Sequence, residues 1–336
     1  MNSLMPQILV NLTDASRRRV FLDSDFDRLS GLGEVSFFNP TIDDAAAYPA
    51  LLAKADALLT CWGSRVLNEE ELGARAKPLL VAHSAGSVRA IVAKDLLQQN
   101  VRLTQGAPAI AQAVAQYAVG LMIMALRQSV YRSVVTAKGE KADASIPAYR
   151  DLEALTIGLV GLSRVGTLTA ELLPPFKVGN ILAYDPYASA EKAAALGVEL
   201  VADLDELLSR SDVVSLHAPV TPDTQNLIDA RRVGLLKPGT AFINTARSQL
   251  TDQDALFARA MTGEIAVYVD VTQPEPLAPT HPAWQSPHIF ITPHIAGPTT
   301  QTLRRMATYA LDEIERFLAG QPLSYEVTYD RYDLLA

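Results

Sequence analysis

Short apolar runs alternate with amphipathic stretches along most of this chain. In the first hundred residues Gln7–Val10, Glu34–Phe37, Ala57–Thr60 and Leu79–Ala82 read as strands, with helices expected at Asp43–Ala55 and Asn68–Arg75. Brief apolar runs suit strands covered on both faces, and their alternation with helices implies a parallel sheet. Gly106-Ala107-Pro108 interrupts the series, and a long helix is expected from about Ala109 to Arg132. Its apolar stretch Tyr117–Leu126 is ten residues, too short to cross a bilayer and suited to a buried helix. Thr136–Asp151 is polar and carries Gly139 and Pro147, as in an exposed arm or linker. A second alternating series then begins. Its strands are expected at Thr156–Val160, Asn180–Tyr184, Val213–Leu216, Ala241–Asn244, Ala266–Asp270 and Ile289–Ile291. Pro174-Pro175 ends the helix that follows Gly166, Asp203 is an expected N-cap for the turn leading into Leu207, and Thr299–Ala319 forms a last helix stopped by Gly320.

Composition narrows the classes. The 336 residues carry 29 basic and 37 acidic side chains, a net charge of −8, which argues against nucleic acid or an anionic membrane as the main partner. The cluster Arg17-Arg18-Arg19 is too short to change that and reads as a solvated surface. The single cysteine, Cys61, excludes an internal disulfide and reads as a packing residue at a strand end. Met1–Val10 lacks the basic start and apolar core of a signal peptide, so a cytoplasmic protein is expected.

One stretch carries the strongest signal. Thr156–Val160, Gly161, Ser163, Arg164, Val165 and Gly166, followed by Tyr184-Asp185, read as strand, glycine turn, helix, strand and terminal acid. A dinucleotide site requires that order: the turn brings the pyrophosphate to a helix N-terminus, and the acid meets the adenosine ribose hydroxyls. Asp185 would repel a 2′-phosphate and so favours NAD over NADP. Ser163 stands where the pattern has its middle glycine. Its hydroxyl can donate to a phosphate oxygen, or its Cβ can weaken the site; the residues alone leave both open.

Three further segments place reactive groups at strand C-termini, where open α/β sheets bind ligands. Arg247 follows Asn244-Thr245-Ala246, and a guanidinium there can grip a carboxylate with two parallel hydrogen bonds. Glu275 lies between Pro274 and Pro276 on a stiff backbone after Asp270, a good orienter for a histidine. His294, in Thr292-Pro293-His294-Ile295-Ala296-Gly297, has the titration range of a general acid–base. His83, His281 and His288 read as packed or surface residues. No segment has metal-ligand spacing, a Gly-x-Ser-x-Gly elbow or a Walker loop.

With these motifs together, the chain resembles the D-isomer-specific 2-hydroxyacid dehydrogenase family from about Ala57 to Gly297. The likeness is strongest in Gly158–Gly166, Tyr184-Asp185-Pro186, Ser215–Thr221, Leu236-Lys237-Pro238-Gly239, the Arg247 segment, Asp270-Val271, Pro274-Glu275-Pro276 and Thr292-Pro293-His294. It implies an α/β protein of two domains. A Rossmann-type doubly wound parallel sheet, residues 109–297, would be inserted into a smaller flavodoxin-like substrate domain formed by 1–108 and 298–336. It implies Arg247, Glu275 and His294 as the catalytic trio. It implies NAD contacts from Gly161, Ser163, Arg164, Val165, Gly166, Asp185, His217, Ala218, Pro219, Thr224, Thr245, Ala246, Asp270, Ala296 and Gly297. Trp62 and Ser84-Ala85-Gly86-Ser87 are the expected substrate contacts, the latter standing where the family has a glycine-rich loop ending in Asp; Ser248 likewise replaces a family glycine. The activity implied is hydride transfer between NAD(H) and a small 2-oxo or D-2-hydroxy acid, in a homodimer. The alternative is a non-catalytic NAD(H)-sensing protein, as in corepressor relatives on the same scaffold.

Overall fold

The structure, a computed structural model, describes residues 5–73, 75, 77–141 and 150–333. The central part of the expected arm, 142–149, lies outside the described residues. The chain divides into two compact units, Met1–Ile110 with Pro298–Ala336, and Ala111–Gly297.

The first unit is built on β1 (Gln7–Asn11), β2 (Glu34–Phe38), β3 (Ala57–Thr60), β4 (Leu79–His83) and β5 (Val101–Gln105). They lie parallel in the order β5-β4-β3-β1-β2, and Glu326–Val327 adds an antiparallel edge on β5. Alternation along the strands feeds two cores. Ile8, Val10, Leu59 and Leu80 face one side, while Leu9, Leu58, Leu79 and Val81 face the other. The first side is covered by the helix Thr300–Leu318 through Leu303, Met306, Ala307, Ala310, Leu311 and Ile314. Their spacing of three and four residues makes one apolar stripe, and the Thr299 hydroxyl caps the helix start by accepting from Thr302 N. The final helix therefore returns the chain to the sheet it began with. The strand Val101–Gln105 and the helices Asp14–Val20 and Asp23–Leu32 were not foreseen; Arg102, Thr104 and Gln105 break the apolar run that marks the other strands.

The second unit contains β6 (Thr156–Val160), β7 (Asn180–Tyr184), β8 (Glu199–Leu200), β9 (Val213–Leu216), β10 (Ala241–Asn244), β11 (Ala266–Val269) and β12 (Ile289–Ile291). All are parallel, in the order β12-β11-β10-β9-β6-β7-β8. The chain builds outward from β6 through β7 and β8, then starts again at β9 on the other side. The strand order thus reverses between β6 and β9, the position where such sheets take ligands.

The expected helix Ala109–Arg132 is two helices. Ala107–Leu126 and Ser129–Ala137 are separated at Gln128, whose backbone is left-handed at φ 51° and cannot continue an α-helix. The first is twenty residues long, twice the apolar run Tyr117–Leu126, so in length and apolarity it passes for a membrane span; more than half of it is buried in the protein. Ala118, Leu121, Met122 and Ala125 belong to one hydrophobic core with Ile157 and Leu159 of β6, which is the burial expected of a core helix.

Candidate active site

The register of the second sheet organises the site. Tyr184, Val160, Leu216, Asn244, Val269 and Ile291 are paired in one row across six strands. The residues one step beyond that row are Asp185, Gly161, His217, Thr245, Asp270 and Thr292. All but Thr292 are among the residues singled out from the sequence. Arg247 and His294 lie three residues past the row on β10 and β12, two strands apart, or ~10 Å at the usual strand spacing.

On the β6 side the geometry is a tight cradle. Gly161 has φ 100°, and a Cβ there would stand 2.8 Å from Ala218 N. A Cβ on Gly166 would stand 2.1 Å from Gly161 O. Both positions therefore exclude any side chain. The helix Arg164–Leu172 begins from this turn, and its first N–H groups have no intrahelical partner. Asp185 accepts from Leu162 N at 2.7 Å and from Tyr187 N at 2.8 Å, which fixes its carboxylate at the end of β7. Lys192 Nζ donates to Leu162 O at 2.6 Å, so the Leu162 peptide is held at both ends; this lysine was not foreseen.

Ser163 bridges two loops at this end of the sheet. Its hydroxyl donates to His217 O at 2.8 Å, tying the glycine turn to the loop after β9. Its φ of −58° is open to any residue, so the backbone does not require glycine there. Within the same loop, Thr224 Oγ1 accepts from Thr221 N at 2.7 Å and donates to Pro219 O at 2.6 Å, closing the segment.

These residues fit a dinucleotide on a second count. Both ring nitrogens of His217 and the hydroxyl of Thr245 are buried and have no hydrogen-bond partner among the described residues. Buried polar atoms without partners are costly, and at the strand ends they await a ligand's groups. Burial also pushes the His217 imidazole down to about 3, so it is neutral at ordinary pH.

On the β10–β12 side the acid–base candidates meet. His294 Nδ1 lies 2.7 Å from Glu275 Oε1. A carboxylate only accepts, so Nδ1 carries the proton and donates, and Nε2 is left for another partner. The imidazole and carboxylate are each nearly half exposed. His294 itself has a left-handed backbone, φ 54°, unusual for a residue with a side chain. The buried Asp270 carboxylate receives Thr292 Oγ1 at 2.5 Å, Ile295 N at 2.9 Å and Ala296 N at 2.8 Å. Asp270 thus serves the His294 loop with both oxygens. Arg247 is half-buried; its Nη1 donates to Ala246 O at 2.7 Å, and Asn244 Nδ2 donates to Arg247 O at 2.9 Å. Ser248 is buried and begins the short turn Ser248–Leu250.

The remaining candidates belong to the first unit, at the ends of β3 and β4. Ser84 and Ala85 are buried, and Gly86 and Ser87 are half-buried. A Cβ on Gly86 would meet Ile110 Cδ1 at 3.3 Å. His83 Nδ1 lies 3.0 Å from Thr60 Oγ1, and burial lowers its pKa to about 4. Cys61 is a packing residue: its thiol donates to Ser84 O at 3.2 Å, and burial pushes it up to about 12. The Trp62 ring is occupied by Arg19, whose guanidinium lies 5.5 Å from its centroid. His281 caps a short turn through Nδ1, and His288 stacks on Tyr131.

Comparison with known proteins bears on the fold and the cofactor. Residues 119–296 match the family model described as D-isomer specific 2-hydroxyacid dehydrogenase, NAD binding domain. The D-3-phosphoglycerate dehydrogenase of Mycobacterium leprae is 30% identical over 291 residues, 84% of this chain and 52% of that one. The glyoxylate reductase of Thermofilum pendens is 33% identical over 231 residues, 68% of each chain. The chain spans about half the length of the phosphoglycerate dehydrogenases it matches. A solved Thermus thermophilus protein is 28% identical with a TM-score of 0.73, covering 96% of this chain and 100% of its own. The apo D-mandelate dehydrogenase of Rhodotorula graminis, 24% identical, shares the fold with a TM-score of 0.81 over 96% of this chain and 97% of its own. The second unit is accordingly an NAD-binding domain with a Rossmann fold, and the chain belongs to the D-isomer specific 2-hydroxyacid dehydrogenase family.

Proposed function

We propose that the protein is an NAD-dependent oxidoreductase that interconverts a small 2-oxo acid and its D-2-hydroxy acid, with Arg247, Glu275 and His294 at the reacting centre. The observation that carries this reading is the 2.7 Å contact between His294 Nδ1 and Glu275 Oε1, on a sheet edge that also bears Arg247. NAD, when bound, supplies or accepts the hydride. The residues of the chain do the rest. Arg247 holds the substrate carboxylate and polarises the carbonyl. His294 gives a proton from Nε2 to the carbonyl oxygen during reduction and takes it back during oxidation. Glu275 fixes the imidazole's tautomer and balances the charge on its doubly protonated form. We assign substrate recognition to the Ser84–Ser87 loop, with the dinucleotide held by the Gly161–Gly166 turn, Asp185 and the loop after His217.

The test is NADH oxidation against a panel of 2-oxo acids, including glyoxylate, hydroxypyruvate and phenylpyruvate. The expected outcome is turnover with at least one of them and a loss of about a hundredfold or more in kcat/KM for Arg247→Ala and for His294→Ala, the scale of electrostatic and acid–base groups. Unchanged turnover in either folded variant refutes the assignment. Tight NADH binding without turnover on any acid would point to the sensing alternative.

A further inference from the structure

We propose that Tyr117 and Thr292 are positioning residues for the His294–Glu275 pair, acting through Asp270; this deepens the function proposed above and rests on it. The loop after β12 has to solve a local problem. His294 sits in the left-handed region, where a Cβ crowds the backbone and most residues are disfavoured. A left-handed residue turns the following N–H groups toward one point and forms a concave seat for an anion. Here the anion is the Asp270 carboxylate, which takes Ile295 N and Ala296 N at 2.9 and 2.8 Å. The backbone carbonyl of Asp270 also accepts His294 N at 2.9 Å. One residue of β11's end therefore grips three successive N–H groups and holds the turn that aims the imidazole at Glu275.

That grip depends on where the carboxylate points. Asp270 is almost fully buried, and a buried carboxylate rests only where donors fix it. Its Oδ1 is shared between Ile295 N and the Thr292 hydroxyl, the latter at 2.5 Å. Thr292 has one proton to give, and Tyr117 OH donates to its oxygen at 3.2 Å. Accepting from Tyr117 leaves the threonine proton for Asp270. The chain of donors runs from Tyr117 to Thr292 to Asp270, then back through N–H groups to the loop of His294. Tyr117 stands on Ala107–Leu126, the helix that carries the chain from the first unit into the second.

The experiment uses the full chain with Tyr117→Phe, Thr292→Val and Thr292→Ser. Amide exchange of the 292–297 segment is followed by mass spectrometry, alongside kcat and the NADH dissociation constant. Loss of one hydrogen bond predicts roughly three- to tenfold in kcat for Tyr117→Phe, and loss of a donor to a buried charge roughly tenfold or more for Thr292→Val. In both, exchange of the segment rises, and kcat falls by a larger factor than NADH affinity. Thr292→Ser, which keeps the hydroxyl, restores both exchange and kcat. Exchange unchanged in Tyr117→Phe, or Thr292→Ser as impaired as Thr292→Val, overturns the proposal. If exchange follows the expected order but the wild type reduces no 2-oxo acid, the positioning chain stands and the proposed function falls.

Discussion

His83 and His217 are both buried at strand ends, and burial decides their charge, outweighing at His83 a backbone hydrogen bond to Ser87 that acts the other way. Desolvation lowers them to about 4 and about 3, against about 6.5 in an unfolded chain. The sign of the consequence follows from proton counting. Between pH 6.5 and 4 the unfolded chain binds a proton on each histidine that the native protein refuses, so stability falls as pH falls through that window. Each contributes a slope of up to about 1.4 kcal/mol per pH unit. Urea midpoints of the wild type should therefore drop from pH 7 to pH 5 more steeply than those of His83→Gln. Equal slopes would mean that His83 is charged in the folded protein. At this scale the sequence is legible only in part. His83 reads from the sequence as a packed or surface residue near a candidate substrate loop, and the structure buries it. The partner of the Ser163 hydroxyl is not legible, because the carbonyl of His217 is 54 residues away. Tyr117 gave no signal, since a tyrosine within an apolar helical run reads as core.

At the scale of elements, the cradle shows why glycine positions speak so clearly. β6, β7, β9, β10 and β12 coincide residue for residue with the apolar runs, because buried parallel strands are short, apolar and ended by residues of special conformation or charge. Gly161 and Asp185 mark two of those ends, and Asp270 marks the end of β11. β5 is not legible because Arg102 and Thr104 dilute its pattern, and neither is the break at Gln128, because a left-handed glutamine carries no sequence signature. The same packing makes a test. In Gly166→Ala the new methyl would press on Gly161 O, a backbone atom that cannot step aside without moving the turn. The expected cost is about 1–3 kcal/mol of stability, with NADH affinity down by roughly tenfold or more as the turn shifts, about 1.4 kcal/mol. Calorimetric titration of the folded variant checks this. Wild-type affinity would mean that the turn does not cradle the pyrophosphate.

The whole molecule consists of two units with separate cores, one assembled from both ends of the chain and one from a continuous middle segment. A dinucleotide bound wholly within the middle segment should stabilise that unit by mass action alone, about 2.7 kcal/mol at a hundredfold excess over Kd. For a unit of this size about 2–4 °C accompanies each kcal/mol, so its melting should rise by about 5–10 °C. The two tryptophans divide conveniently, Trp62 in the first unit and Trp284 in the second. In Trp62→Phe the remaining indole reports the middle segment, and in Trp284→Phe it reports the unit formed by the termini. NADH should move the transition seen by Trp284 and leave that seen by Trp62 in place. A shift confined to Trp62 would place the cofactor on the wrong unit. Equal shifts for both would show that the units unfold as one, so that ligand free energy gained at the β6–β9 switch point stabilises the entire chain.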